Sequence, residues 1–74
     1  MENGFELEVL KEISEKLLMK KNEIIFLLEG KVDDPRKAAN EIAKSLLNQG
    51  MIAIAPVGDG TFAVTQKGMR ATKV

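Results

Sequence analysis

The residues best suited to recognise a ligand lie on one side of residues 33–52, "DDPRKAANEIAKSLLNQGMI". Arg36 can make a bidentate contact to guanine or to a phosphate, and Asn40 can pair with adenine. Lys37 and Lys44 are better suited to phosphates, where a flexible point charge is sufficient. These residue types are compatible with a surface that contacts nucleic acid, but they do not by themselves indicate one. An ordinary solvated helix face would carry the same residue types, so that interpretation stays open.

The segment that carries these side chains has clear helix boundaries. Asp33 or Asp34 is suited to the N-cap, Pro35 to the first helical position and Gly50 to the position after the end. Capping explains the two acids better than a metal site, because no third hard ligand is nearby in the sequence. We therefore predict a helix over 35–49, with one buried face formed by Ala39, Ile42, Ala43 and Leu46.

Composition excludes several classes of chemistry. The 74 residues include no cysteine and no histidine, which removes disulfides, zinc fingers and imidazole bases. A chain of this length buries only about 60% of its unfolded surface, so we expect one domain over 1–74 and no deep cleft. We predict that the protein is not an enzyme and that it binds no cofactor or metal.

Charge and hydropathy bear on partners and location. Residues 1–29 carry seven acids and four bases, a net charge of −3, and residues 30–74 carry four acids and seven bases, a net charge of +3. The longest apolar run, residues 24–28, is far too short to span a membrane, and no signal peptide precedes the first charged helix. We expect a cytoplasmic protein. Abundant Lys, Glu and Ile is typical of a thermophile or archaeal source.

The first 30 residues allow two interpretations. Apolar spacing predicts a helix over 5–18. Asn22 is suited to an N-cap and Gly30 to a helix end, which predicts a second helix over 23–29. The alternative is one continuous helix over 5–29, because no glycine or proline interrupts it.

After Gly50 the spacing of apolar residues changes from the helical pattern to a pattern typical of strands. "MIAIAPV" and "TFAVT" are joined by "GDG", which predicts a β-hairpin over 51–65 with Pro56 at an edge or a bulge. The last nine residues, "QKGMRATKV", form a polar tail with at most one turn of helix. Together these elements predict an α+β domain of three helices and a two-stranded hairpin.

This order of elements resembles the winged helix-turn-helix family. The resemblance rests on "NEIIFLLEGK", on "EIAKSLLNQGMI", and on "GDGTFAVTQKG" with its Thr65-x-x-Gly68 segment. It implies double-stranded DNA binding and transcriptional regulation, with the helix over 35–49 in the major groove and the hairpin over 51–65 as the wing. The residues implied as DNA contacts are Lys31, Arg36, Lys37, Asn40, Lys44, Thr61, Lys67 and Arg70.

A protein–protein interaction module without DNA binding is the alternative function. Winged helices also serve as such modules, and a fold does not determine a function. Asp33 and Asp34 at the start of the helix, Asp59 at the hairpin tip and the zero net charge favour this alternative.

Apolar residues in and just after the first helix predict a homodimer. Phe5, Leu7, and Leu18 or Met19 lie partly off its main apolar stripe, which leaves more apolar surface than a small monomer needs to expose. Small winged-helix proteins often pair to read two half-sites, so we expect a dimer that uses this helix.

Overall fold

The computed structural model describes residues 5–56, 58 and 60–72. Within these residues the chain is α+β, as predicted, with four helices and one three-stranded antiparallel sheet of order β1-β3-β2. The elements are α1 (Phe5–Lys16), β1 (Leu18–Lys20), α2 (Lys21–Leu28), α3 (Pro35–Asn48), β2 (Ile52–Ile54), β3 (Thr61–Val64) and α4 (Gln66–Thr72). The prediction of three helices and a two-stranded hairpin was therefore incomplete by one helix and one strand.

The chain leaves α1 through a left-handed residue, and this excludes one continuous helix over 5–29. Leu17 has φ +71°, and its N–H donates to the Ile13 carbonyl at 2.7 Å. The two-helix prediction is confirmed, although α1 ends two residues before Leu18. The second helix also begins earlier than predicted, at Lys21, so Asn22 is not its N-cap. Instead the Lys20 N–H donates to Glu23 Oε1 at 2.8 Å.

The strand β1 fills the space between the two helices and pairs with β3. Leu18 lies opposite Ala63, and Met19 lies opposite Phe62. The Val64 N–H donates to the Leu17 carbonyl at 3.2 Å, which continues the ladder. Hydrogen bonds to distant strand residues therefore hold this segment extended, although its own sequence has no strand pattern.

The predicted hairpin is confirmed, with a longer connection than a two-residue turn. The register places Ile52 opposite Val64, and the Ala55 N–H donates to the Thr61 carbonyl at 2.9 Å. Pro56 lies beyond β2, outside the ladder, where its missing N–H has no cost. Gly60 has φ +69°, a conformation that glycine adopts without steric penalty. Asp59 of the predicted tip lies outside the described residues.

The boundaries and buried face of α3 match the prediction closely. The Asp34 side chain accepts a hydrogen bond from the Lys37 N–H at 3.2 Å, so Asp34 and not Asp33 is the N-cap. The helix ends at Asn48, one residue earlier than predicted, and Gly50 follows with φ +75°. The predicted face is buried: Ala39, Ile42, Ala43 and Leu46.

The core lies between the helices and one face of the sheet. Its sheet face includes Met19, Ile52 and Phe62, all buried. The helices contribute the remaining large buried side chains: Val9, Leu10, Ile13, Ile24, Leu28, Ile42 and Leu46. This core fixes which side of each helix is turned to solvent.

A single threonine joins the end of α3, the hairpin and α4. Thr65 Oγ1 lies 2.6 Å from the Gly50 carbonyl oxygen and 2.9 Å from that of Met51, and it accepts the Gly68 N–H at 3.0 Å. Thr65 is thus the cap of α4, which has seven residues instead of the single turn predicted. A Cβ added at Gly68 would lie 2.1 Å from the Met51 carbonyl oxygen. The close approach of α4 to Met51 therefore requires glycine at this position.

We predict that Gly68→Ala lowers the free energy of unfolding by about 1–3 kcal/mol or more, because the added methyl group overlaps backbone atoms that cannot move away freely. Gly58→Ala is the matched control. Its Cβ would meet Thr61 Oγ1 at an ordinary 3.6 Å, and we expect a much smaller effect. Urea denaturation followed by circular dichroism measures both variants. Equal stability of the two would contradict this packing.

We also predict a difference between two substitutions at Leu17. Leu17→Val should destabilise the fold by about 1 kcal/mol, because a β-branched side chain is strongly disfavoured at positive φ. Leu17→Asn should stay within about 0.5 kcal/mol of the parent, because asparagine tolerates this conformation and the lost leucine is half exposed. Urea denaturation compares them; a Val variant as stable as the Asn variant would show that residue 17 is not left-handed.

Candidate nucleic-acid interface

The four polar residues predicted on α3 are exposed: Arg36, Lys37, Asn40 and Lys44. With about 3.6 residues per turn, Lys37 and Lys44 lie opposite the buried face, and Arg36 and Asn40 lie along its flank. With a rise of about 1.5 Å per residue, Arg36, Asn40 and Lys44 form a row about 12 Å long. The structure therefore brings together four of the eight predicted contact residues on one rigid element, three of them in a row and Lys37 beside it.

The turn before α3 sets how this helix is presented. Gly30 has φ +83°, and Val32 packs against the core two residues later. Lys31 lies between them and forms an ion pair with Glu8 of α1. Both side chains are substantially exposed, so the pair adds little stability and Lys31 is near the start of α3 with its charge partly neutralised.

Thr61 lies in the interior. It is only 5% exposed, so its side chain is not on the surface that a wing would present. The sequence missed this because Thr61 directly follows the glycine-rich turn, where residues are normally exposed. Its position is instead determined by β1, whose Lys20 is its partner in the sheet register.

Lys67 and Arg70 are both exposed, but α4 places them away from the first turn of α3. A Cβ at Gly50 would lie 3.9 Å from the Lys67 side chain, so Lys67 is near the end of α3. The opposite end of this 14-residue helix carries Arg36, about 20 Å away. The helix of Arg70 packs on α1 and β3. These two cations therefore do not extend the row on α3 at its first turn.

The structure places two other cations beside the hairpin. The Lys21 N–H donates to the Gly60 carbonyl at 2.7 Å, so the first turn of α2 lies against the hairpin turn. Lys20 precedes it, and with Asn22 it lines a shallow surface depression next to Gly60. In the sequence, the run Lys20-Lys21-Asn22 before an apolar segment was the feature that could have indicated these two cations. Only the pairing of β1 with β3 shows that this run meets the hairpin.

Two acids lie at the start of α3, on the side that would approach an anionic ligand. Asp33 and Asp34 are both exposed. The Asp34 carboxylate is engaged by the Lys37 N–H, where the positive end of the helix dipole stabilises it. These acids oppose the attraction of Arg36 and Lys37 for phosphates.

The apolar surface predicted for dimerisation is smaller than the sequence indicates. Met19 is buried in β1 and Phe5 packs against the core, so neither adds to an exposed apolar face on α1. Leu7 and Leu18 are exposed, but Leu7 lies in the first turn of α1 and Leu18 lies beyond the end of that helix, in β1. Of the residues expected in the interface, the first helix itself therefore exposes only Leu7 strongly, which does not make a continuous apolar face.

Comparisons with family models, with curated proteins and with solved structures found no significant match. Within residues 5–56, 58 and 60–72, no helix is long and apolar enough to cross a membrane. The same residues contain no group of three or more acids arranged to hold a metal ion.

We predict different stability effects for the two acids before α3. Asp34→Ala should lower the free energy of unfolding by about 1 kcal/mol, because it removes the acceptor for the Lys37 N–H. Asp33→Ala should change it by less than about 0.5 kcal/mol. Thermal and urea unfolding of the two variants measure the difference. A larger loss for Asp33→Ala would mean that the cap is misassigned.

Proposed function

We propose that the protein is a winged helix-turn-helix protein that binds double-stranded DNA and regulates transcription, with α3 in the major groove. The observation that supports this most directly is the exposed row of Arg36, Asn40 and Lys44, with Lys37 beside it, on a helix whose other face is buried. The order α2, turn, α3, hairpin agrees with the resemblance described above. The additional strand β1 attaches the hairpin to the helical body.

Each residue of the row has a distinct role in this proposal. Arg36 and Asn40 contact base edges from the first two turns of α3, and Lys37 and Lys44 contact phosphates. Lys20 and Lys21, beside the hairpin turn, contribute a second group of phosphate contacts. Thr61 makes no DNA contact in this proposal because it is buried. Lys67 and Arg70 make none because they lie on another part of the surface. The mechanism requires no cofactor and no catalysis.

The charge reversal Arg36→Glu with Lys37→Glu tests the proposal. We expect the parent to bind a labelled duplex with an affinity that falls steeply between about 50 and 200 mM salt. The double variant should bind at least about tenfold more weakly. The magnitude of the slope of log K against log salt should decrease by about 1, since the phosphate contact of Lys37 is lost. Fluorescence anisotropy measures both quantities.

Lys11→Glu with Arg70→Glu is the matched control, because it changes the net charge by the same amount on α1 and α4. We expect its salt slope to equal that of the parent. Asn40→Ala should leave the slope unchanged and alter the preference among duplex sequences. Equal losses for both double variants would indicate nonspecific charge attraction and would contradict a defined interface on α3.

A protein-interaction module is the second candidate function. It is favoured by the exposed apolar side chains of Phe26 and Ile54, which DNA binding by α3 does not use. Absence of duplex binding at about 50 mM salt would leave this candidate ahead.

A further inference from the structure

The most exposed large apolar side chain among the described residues belongs to Phe26 on α2. It is 76% exposed, whereas its neighbours Ile24 and Leu28 are buried. Phe26 therefore adds much less buried apolar surface to the core of its own chain than Ile24 and Leu28 do. Aromatic side chains of this kind are enriched at the centres of protein interfaces, where they fill a pocket on the partner.

Phe26 lies at the edge of a groove between the end of α1 and α2. The groove has a volume of about 470 Å³, with Met19 and Leu27 among its apolar lining. An aromatic ring fits a space of about 150 Å³, so the groove can accept one phenylalanine side chain. A protruding ring and a recess that can take such a ring are thus parts of one patch.

The polar lining of this groove carries both signs of charge. Glu12 and Glu23 contribute carboxylates, and Lys16 contributes an ammonium group 3.9 Å from Glu23. When such a patch meets a copy of itself about a twofold axis, each Lys16 can lie near an acid of the other copy. The zero net charge of the chain adds no overall repulsion between copies.

We propose that a second copy of this chain occupies the groove, forming a twofold dimer in which each Phe26 enters the groove of the other protomer. The patch fits a second copy because it supplies its own ring, recess and opposite charges, which a patch for a different partner need not do. The interface uses α1, β1 and α2 and leaves the outward face of α3 free. It is independent of the proposed DNA binding. It uses the last turns of α1 together with α2, and not the Phe5, Leu7 and Leu18 surface expected from the sequence.

Sedimentation velocity over a range of protein concentrations, without DNA and at about 150 mM salt, tests the dimer. We expect a monomer–dimer equilibrium in the parent and a dissociation constant at least about tenfold larger for Phe26→Ser. Ile54→Ser is the matched control, because Ile54 is also strongly exposed but lies on β2. Its dissociation constant should equal that of the parent. A parent that stays monomeric at about 1 mM, or equal effects of the two variants, overturns the proposal.

A charge exchange tests the geometry of the patch. Lys16→Glu and Glu12→Lys should each weaken the dimer, because each leaves one sign of charge in excess across the twofold axis. The double variant exchanges the two charges and should recover most of the lost affinity. Circular dichroism confirms that all variants are folded. Failure of the double variant to recover the dimer, with its fold intact, excludes this interface.

Discussion

The contact between Gly68 and the Met51 carbonyl determines how the helical part and the sheet fit together. The absence of a side chain lets α4 approach the backbone at the start of the hairpin, and Thr65 Oγ1 bonds to both segments at the same point. Because Met51 follows the end of α3, this contact fixes where the hairpin leaves that helix. The placement of the hairpin beside α2 depends on the same junction.

Elements specified by local signals were predictable from the sequence, and those specified by distant pairing were not. The cap Asp34, Pro35 and Gly50 mark α3 at both ends, and each acts within a few residues of its position. The strand β1 has no such signal, since its leucine, methionine and lysine are good helix formers. Its strand partners lie about 40 residues further along the chain, and its preceding residue adopts positive φ without being glycine.

The residues of the candidate site fall into the same two groups, those whose positions follow from local periodicity and those whose positions depend on tertiary packing. Helical periodicity alone predicts that Lys37 and Lys44 face outward, opposite the apolar face, and that Arg36 and Asn40 lie along its flank. The positions of Thr61 and Lys67 depend on how the sheet and α4 pack, so composition and spacing could not show that one is buried and the other lies near the end of α3. The meeting of Lys21 with Gly60 is a tertiary contact of the same kind.

The electrostatics of α3 link its stability to any affinity for DNA. Asp34 stabilises the helix by accepting a hydrogen bond from the Lys37 N–H. Replacing Asp34 to make this surface more basic would therefore destabilise the helix, unless the new residue is a neutral capping residue. With Asp33 also exposed, the first turns of α3 have little net charge to attract phosphates. A single protomer would therefore bind weakly, since affinity depends mainly on the number of phosphates neutralised. Two joined protomers would double that number, and their connection would raise the effective concentration of the second contact. A dimer that leaves α3 free is thus a physical way to reconcile a capped, acidic helix start with useful binding.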